Sequence, residues 1–162
     1  MDAATAYRTL APAVLGYLRG QGAAEPDDLL SEVFLQVARS LPRYRGTDED
    51  LRRWVFTIAR NRLIDDRRRR RARPAIDGSA VPDSPVIDDL EPVDPALLAA
   101  LARLTPEQRE IVVLRFVADL SLDDVAKVTK RSIGAVKTMQ HRALAQLARI
   151  LADPGCAVEH DG

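Results

Sequence analysis

Apolar residues recur every three or four positions through most of the chain, which is the pattern of helices that bury one face. This spacing predicts a helix over residues 5–20, a second over about 28–41 and a third over about 51–70. Val, Ile and Thr rarely alternate with polar residues, so the pattern does not indicate strands. We therefore expect an all-α protein.

The C-terminal part of the chain carries three helix start signals close together. Thr105 can cap a helix whose first residue is Pro106, and Ser121 and Ser132 are the next two capping residues. This spacing predicts short helices joined by turns of three or four residues.

The segment between these two helical parts is rich in proline. Residues 73–95 hold five of the ten prolines, interleaved with Asp, Ser and Gly. Because proline restricts itself and the residue before it, we expect no helix to cross this segment. The chain is therefore predicted to form two small helical domains, residues 1–73 and 96–152. A flexible linker, 74–95, joins them, and a short tail, 153–162, follows the second domain.

Charge is strongly segregated, although 24 Lys and Arg balance 24 Asp and Glu. Residues 1–73 carry 15 Arg against 10 acidic residues, whereas 74–95 carry six acidic residues and no Lys or Arg. Residues 125–150 hold six Lys or Arg and no acid. Two basic zones around an acidic linker favour a nucleic-acid partner.

Several classes of protein are disfavoured. The single cysteine, Cys156, excludes an internal disulfide and a cysteine-based zinc cluster. No apolar run approaches the roughly 18 residues of a membrane span, and the N-terminus has no pattern of a secretory signal. We expect a cytoplasmic protein with no membrane insertion, no metal and no other cofactor.

Residues 121–144 have the pattern of a helix-turn-helix, in which the second helix lies in the major groove of DNA. Ala126 supplies the small side chain that the helix crossing needs, and Lys130 stands at the turn, where a left-handed or adjusted conformation is expected. At about 100° per residue, the second helix has an apolar and an outer face. The predicted apolar face comprises Ile133, Val136, Ala143, Leu144 and Leu147.

The outer face of this second helix is basic and offers hydrogen-bond donors, as reading of base edges requires. It comprises Lys137, Thr138, His141 and Arg142, and Arg131 precedes it. The alternative is an ordinary amphipathic helix with a solvated basic face. The turn spacing, the small residue and the acid-free stretch together favour DNA reading.

A second basic helix is predicted in the N-terminal lobe, where Trp54 and Asn61 precede five consecutive arginines, Arg67 to Arg71. Five successive arginines on a helix point in most directions around its axis, so they cannot all pair with acidic residues of the same protein. Such a run of positive charge suits the phosphate backbone of a nucleic acid. Asn61 is of a type that reads base edges, and Trp54 can stack on an unpaired base. The alternatives are a tryptophan in the core and a solvated helix end.

Together, these segments resemble the sigma-70 superfamily of bacterial RNA polymerase sigma factors, in its small two-domain extracytoplasmic-function (ECF) type. The N-terminal match runs through residues 27–37, 43–46 and 54–69. The C-terminal match runs through residues 104–116 and the helix-turn-helix. The segments follow the family's order and cover nearly all of both predicted lobes.

The resemblance implies a protein that binds core RNA polymerase, directs it to promoter DNA and helps to open the −10 element. The helix that contains Asp28, Leu29, Glu32 and Val33 is implied to dock on the β′ clamp helices of the polymerase. The β subunit is implied as a further contact. Recognition of the −10 element falls to Trp54, Arg60, Asn61, Arg67 and Arg68. Recognition of the −35 element falls to Arg131, Lys137, Thr138, His141 and Arg142. The resemblance leaves open an anti-sigma factor as a further partner.

Three other functions compete with this interpretation. A stand-alone helix-turn-helix regulator would need a sensor domain and a dimer seam, and residues 1–73 show neither. An enzyme is disfavoured, because the sequence has no nucleophile triad, Gly-rich phosphate loop or metal cluster. The third is an adaptor that binds polymerase without DNA, and it would be distinguished by loss of DNA contacts with unchanged binding to core polymerase.

Overall fold

The computed structural model describes residues 1–73 and 94–152, which form seven α-helices and no strand. The predicted all-α class is therefore confirmed for this part of the chain. None of these helices is both long and apolar enough to cross a membrane. The predicted linker, apart from its last two residues, and the predicted tail fall outside the described residues. The helices are α1 (Ala3–Gly20), α2 (Pro26–Ser40), α3 (Asp48–Ala72), α4 (Pro95–Ala102), α5 (Pro106–Val112), α6 (Leu122–Thr129) and α7 (Ile133–Ala152).

The N-terminal lobe is formed by α1, α2 and α3, which pack around a shared apolar core. Tyr17 of α1 and Phe56 of α3 meet edge to face at its centre, with ring centroids 5.8 Å apart. The α-helical part of α2 ends at Ser40 and continues as a 3₁₀ turn that holds Pro42. The predicted end of this helix is thus confirmed, since proline cannot continue the α-helical hydrogen bonds.

The C-terminal lobe is formed by α4 to α7, and its helix starts agree with the sequence. Thr105 Oγ1 accepts a hydrogen bond from the Gln108 amide at 3.2 Å. The Ser121 and Ser132 hydroxyls each accept a bond at 3.1 Å from the amide three residues ahead. All three predicted caps are confirmed. After α5 the chain widens into a π-helical turn, Val113–Val117, a form that is frequent at functional sites.

The turn of the helix-turn-helix is left-handed, which is one of the two conformations expected at Lys130. Lys130 has φ 58° and ψ 41°. Its amide donates to the Lys127 carbonyl at 3.4 Å, and the Arg131 amide donates to the Ala126 carbonyl at 3.0 Å. These two bonds form a Schellman motif, which satisfies carbonyls at the end of α6 that would otherwise lack partners.

The apolar face of α7 is narrower than predicted. Val136, Ala143 and Leu147 are buried, but Ile133 is 41% exposed and Leu144 is 40% exposed. The prediction for these two residues is wrong. Ile133 is the first residue of α7. Leu144 lies about 100° from Ala143, at the edge of the contact.

The two lobes pack against each other, and their buried apolar residues form one continuous cluster. The contact joins α1 to the π-helical turn and α3 to α6. Gly16 and Gly20 of α1 face Val117 and Val113, respectively, so that a Cβ added at Gly16 would lie 2.8 Å from Val117 Cγ1. Glycines at these positions allow the close approach of the second lobe.

Candidate nucleic-acid interfaces

The first candidate interface is a stripe along α3. Trp54, Asn61 and Arg68 are spaced seven residues apart, so each lies about 20° from the last around the helix axis. Asn61 and Arg68 are exposed, whereas Trp54 is partly buried. The Trp54 ring packs on Tyr44, with ring centroids 4.8 Å apart. The structure therefore brings these three predicted residues onto one face, with Trp54 held at the edge of the core.

A second stripe of α3, about 100° away, faces the C-terminal lobe and not solvent. Arg60 Nε donates to Glu110 Oε2 at 2.9 Å, and Arg60 Nη2 donates to Glu110 Oε1 at 3.4 Å. Arg67 Nη2 donates to the Gln21 carbonyl at 2.7 Å. Arg60 and Arg67 are predicted to contact DNA together with Asn61. In this structure both guanidinium groups are instead hydrogen-bonded to other residues of the protein. The residue that holds Arg60 comes from the other lobe, which local sequence does not show.

The arginine run at the end of α3 is partly paired. Arg69 lies 3.7 Å from Glu32, and Arg70 Nε donates to Asp66 at 2.9 Å. That hydrogen bond is the main cause that raises the pKa of Arg70. Within the described residues, Arg68 and Arg71 have no ion pair. They remain available to phosphates, in agreement with the expectation that not all five arginines find internal partners.

The second candidate interface is the outer face of α7. Lys137, Thr138, His141 and Arg142 are all exposed, and their spacing places them on one side of the helix. Arg131 is half-buried at the preceding turn. The structure thus brings the predicted residues of this face together. No acid lies in residues 125–150, so the face is uniformly basic or neutral.

A groove beside this face contains two arginines that sequence reasoning missed. It has a volume of about 480 Å³, and Arg103 and Arg149 line it together with His141 and Arg142. Arg149 is seven residues after Arg142, so helical periodicity offered a signal for it. Arg103 reaches the groove from the end of α4, which only the tertiary structure shows. The two added arginines extend the basic surface beyond the predicted face.

The predicted polymerase-docking residues of α2 divide between core and surface. Asp28 is exposed and Glu32 is partly exposed, but Leu29 is 2% exposed and Val33 is 0% exposed. The assignment of Leu29 and Val33 to a contact surface is corrected here, because both side chains fill the core of the N-terminal lobe. Leu35 is 54% exposed and was missed. Leu35 lies on the same face of α2 as Asp28 and Glu32. Helical periodicity could have identified it, because its position falls on the opposite side of the helix from the buried residues.

Comparison with known proteins agrees with this geometry. Residues 5–73 match the family model for sigma-70 region 2, and residues 95–147 match the model for sigma-70 region 4. The ECF RNA polymerase sigma factor ShbA of Streptomyces griseus is 35% identical over 150 residues, which cover 86% of this chain and 78% of ShbA. The chain belongs to the ECF group of the sigma-70 family.

Further relatives are consistent with this membership. The ECF RNA polymerase sigma factor BldN of Streptomyces coelicolor is 39% identical over 144 residues, which cover 85% of this chain. The match covers 54% of BldN, so the chain spans about half the length of that relative. The fold is also that of the Bartonella quintana sigma factor RpoE, solved with the anti-sigma factor NepR. The TM-score is 0.73 at 21% identity, over 93% of this chain and 97% of the other.

In this sigma factor, the exposed stripe of α3 lies within the region 2 match and the helix-turn-helix lies within the region 4 match. Each predicted DNA interface therefore falls in a different family region. The Arg60–Glu110 contact joins the two regions directly.

Proposed function

We propose that this sigma factor binds core RNA polymerase in the cytoplasm, directs it to promoters and helps to open the −10 element. It acts as a transcription initiation factor and not as an enzyme. The observation that carries the proposal is the pair of exposed interfaces, one on α3 and one on α7, in a chain that belongs to the ECF group. A single reading helix gives a small interface, so two sites held by one scaffold are needed for specific binding.

The α7 face suits recognition of double-stranded −35 DNA. Lys137 and Arg142 can donate hydrogen bonds to guanine edges. The shorter side chains of Thr138 and His141 can make further polar contacts with bases. The arginines of the adjoining groove, including Arg149, suit phosphates of the same duplex.

The α3 stripe suits an opened −10 element. Asn61 is exposed at its centre, where its amide can pair with the edge of an unstacked base. Arg68 is one of the arginines without an ion pair among the described residues, and it can hold the backbone of the same strand. Holding an unpaired base offsets the few kcal/mol that unstacking costs.

We place polymerase docking on the exposed side of α2. Asp28, Glu32 and Leu35 share this face, which combines two acids with an exposed apolar side chain. Such a face suits a partner surface that offers basic side chains around an apolar patch. An anti-sigma factor is a further proposed partner, because the similar RpoE structure was solved with one.

Run-off transcription from a promoter library, with core polymerase from a bacterial host, tests this proposal. We expect transcripts that depend on the added chain. Asn61→Ala should reduce strand opening, and Lys137→Ala with Arg142→Ala should weaken recognition of the upstream element. Each lost base contact costs about 1–3 kcal/mol, or roughly 5- to 150-fold in affinity.

Two further variants complete the design. Glu32→Lys should weaken binding to core polymerase while leaving the two DNA interfaces intact. Arg8→Ala removes an exposed arginine of α1 outside both interfaces and is the control for the loss of a positive charge elsewhere on the surface. Sequence-specific binding of duplex DNA by the free chain, with no transcripts gained on adding core polymerase, would refute the proposal and favour a stand-alone regulator.

A further inference from the structure

The first turn of α7 presents an apolar surface with small side chains to solvent. Ile133 is 41% exposed, although it is a large apolar residue. Gly134 and Ala135 are also exposed, and a Cβ added at Gly134 would meet nothing within 4 Å. Val136 is the residue of this turn that is buried in the core. A large part of the Ile133 side chain is therefore left for another partner.

This turn is continuous with the basic outer face of α7. At about 100° per residue, Ile133 lies roughly 40° from Lys137 and one turn before it, and Gly134 lies about 20° from His141. Ile133 therefore borders the predicted reading face, and Gly134 lies within it. The second helix of a helix-turn-helix contacts base edges with residues of its N-terminal part. The apolar turn is thus the part of α7 that approaches the base edges in the major groove.

Local structure fixes the direction in which Ile133 points. Ser132 Oγ accepts a hydrogen bond from the Ala135 amide at 3.1 Å, and the Ser132 carbonyl accepts one from the Val136 amide at 3.0 Å. Isoleucine is branched at Cβ and takes mainly one χ1 rotamer in a helix. Since the turn and the side chain are both restrained before binding, Ile133 loses little conformational entropy when it makes a contact.

The major groove offers one apolar group to such a side chain. The C5 methyl group of thymine is apolar, whereas the other groups that distinguish the bases there are hydrogen-bond donors and acceptors. An isoleucine against a donor or acceptor would leave that polar group without a partner, which is unfavourable. Against a thymine methyl group it removes apolar surface of both partners from water. Gly134 has no side chain, so the helix backbone can come close to the bases.

We infer that Ile133 is a specificity-determining residue of the −35 interface, and that it reads the C5 methyl group of one thymine. The inference rests on the proposed function, which assigns −35 DNA to α7. Ile133 and Lys137 are separated by about 6 Å along the helix axis, and successive base pairs by about 3.4 Å. The thymine should therefore lie one or two base pairs from the base that Lys137 contacts.

A change in the DNA alone provides the direct test. Replacing thymine by uracil removes the methyl group and leaves the hydrogen-bonding groups of the base unchanged. Holoenzyme formed from core polymerase and the full chain is titrated with a promoter selected from the library. The thymines of its −35 element are replaced by uracil one at a time. We expect one replacement to weaken binding by about fourfold, which is the effect of burying one methyl group less.

Two protein variants assign this effect to Ile133. Ile133→Ala removes the reading side chain and places a good helix former at an exposed position, so the C-terminal lobe should stay folded. In this variant, the same replacement of thymine by uracil should leave the affinity unchanged. Leu151→Ala is the matched control, because Leu151 is 58% exposed in the last turn of α7, about 27 Å from Ile133 along the axis. It should retain the native response to uracil.

The possible outcomes separate this inference from the proposed function. Promoter binding with no thymine of the −35 element sensitive to loss of its methyl group would overturn the inference alone. An equal sensitivity in the native chain and in Ile133→Ala, or its loss in Leu151→Ala as well, would also overturn it. If the native chain directs core polymerase to no promoter, the proposed function fails, and the assignment of Ile133 fails with it.

Discussion

Replacing Lys130 by glycine should stabilise the C-terminal lobe. Lys130 is a non-glycine residue with φ 58° and ψ 41°, at the end of α6. An L-residue in this region costs about 1–2 kcal/mol, because its Cβ approaches the following carbonyl oxygen. Glycine removes this strain, but it also makes the unfolded chain more flexible, which lowers the free energy of unfolding by about 0.5–1 kcal/mol. The expected net stabilisation is about 1 kcal/mol.

The matched control for this substitution is Lys130→Ala. Alanine removes the same charge and the same long side chain but keeps the left-handed strain. The difference between the two variants therefore isolates the backbone term. Urea unfolding gives the overall free energy, and amide hydrogen exchange of α6 and α7 assigns the change to the helix-turn-helix.

DNA binding supplies an independent check on the same pair of variants. Both remove one exposed positive charge beside the reading helix, so both should reduce the salt dependence of promoter binding equally. A glycine variant no more stable than the alanine variant would refute the assignment of strain to Lys130. Retention of the two hydrogen bonds to the Ala126 and Lys127 carbonyls is the structural condition for the comparison.

Thr105→Ala should lower the stability of α5 by about 1 kcal/mol, measured as faster exchange of its amides, because the Gln108 amide loses its partner. Tyr17→Phe should not lower the free energy of unfolding, since the buried hydroxyl has no hydrogen-bond partner among the described residues. Burial and the nearby Glu110 charge raise the pKa of Tyr17, so the native chain should lose stability as pH rises above 10, where Tyr17 ionises in the unfolded chain but not in the folded one. Urea titrations should show this alkaline loss in the native chain and a smaller one in Tyr17→Phe. Val33→Ala should cost roughly 1–3 kcal/mol of stability, whereas Leu35→Ala should leave stability unchanged within about 0.5 kcal/mol, because only Val33 lies in the core.

Features that depend on neighbours a few residues apart could be predicted from the sequence. The caps at Thr105, Ser121 and Ser132 each require a hydroxyl and an amide three positions ahead. The helix-turn-helix pattern likewise predicts a left-handed or adjusted conformation at Lys130, and the structure shows the left-handed one. Helical periodicity likewise placed the exposed basic face of α7, because residues three and four apart share one side of a helix.

The side of each helix that is buried, and the element that covers it, depend on how the helices pack. Periodicity identified α2 as amphipathic, but only packing showed that Leu29 and Val33 are core residues and that Leu35 faces outward. Ile133 and Leu144 share the apolar character of their neighbours, and only the packed structure shows that they are exposed.

The packing of the lobes also determines which charged side chains form ion pairs. The arginines of α3 look equivalent along the chain, yet Arg60 is held by Glu110, 50 residues away, while Arg68 has no ion pair among the described residues. Local sequence cannot predict such a pairing, because the two residues are 50 positions apart and only the packing of the lobes brings their side chains together. Which arginines meet DNA and which meet the other lobe is therefore set by the packing of the two lobes.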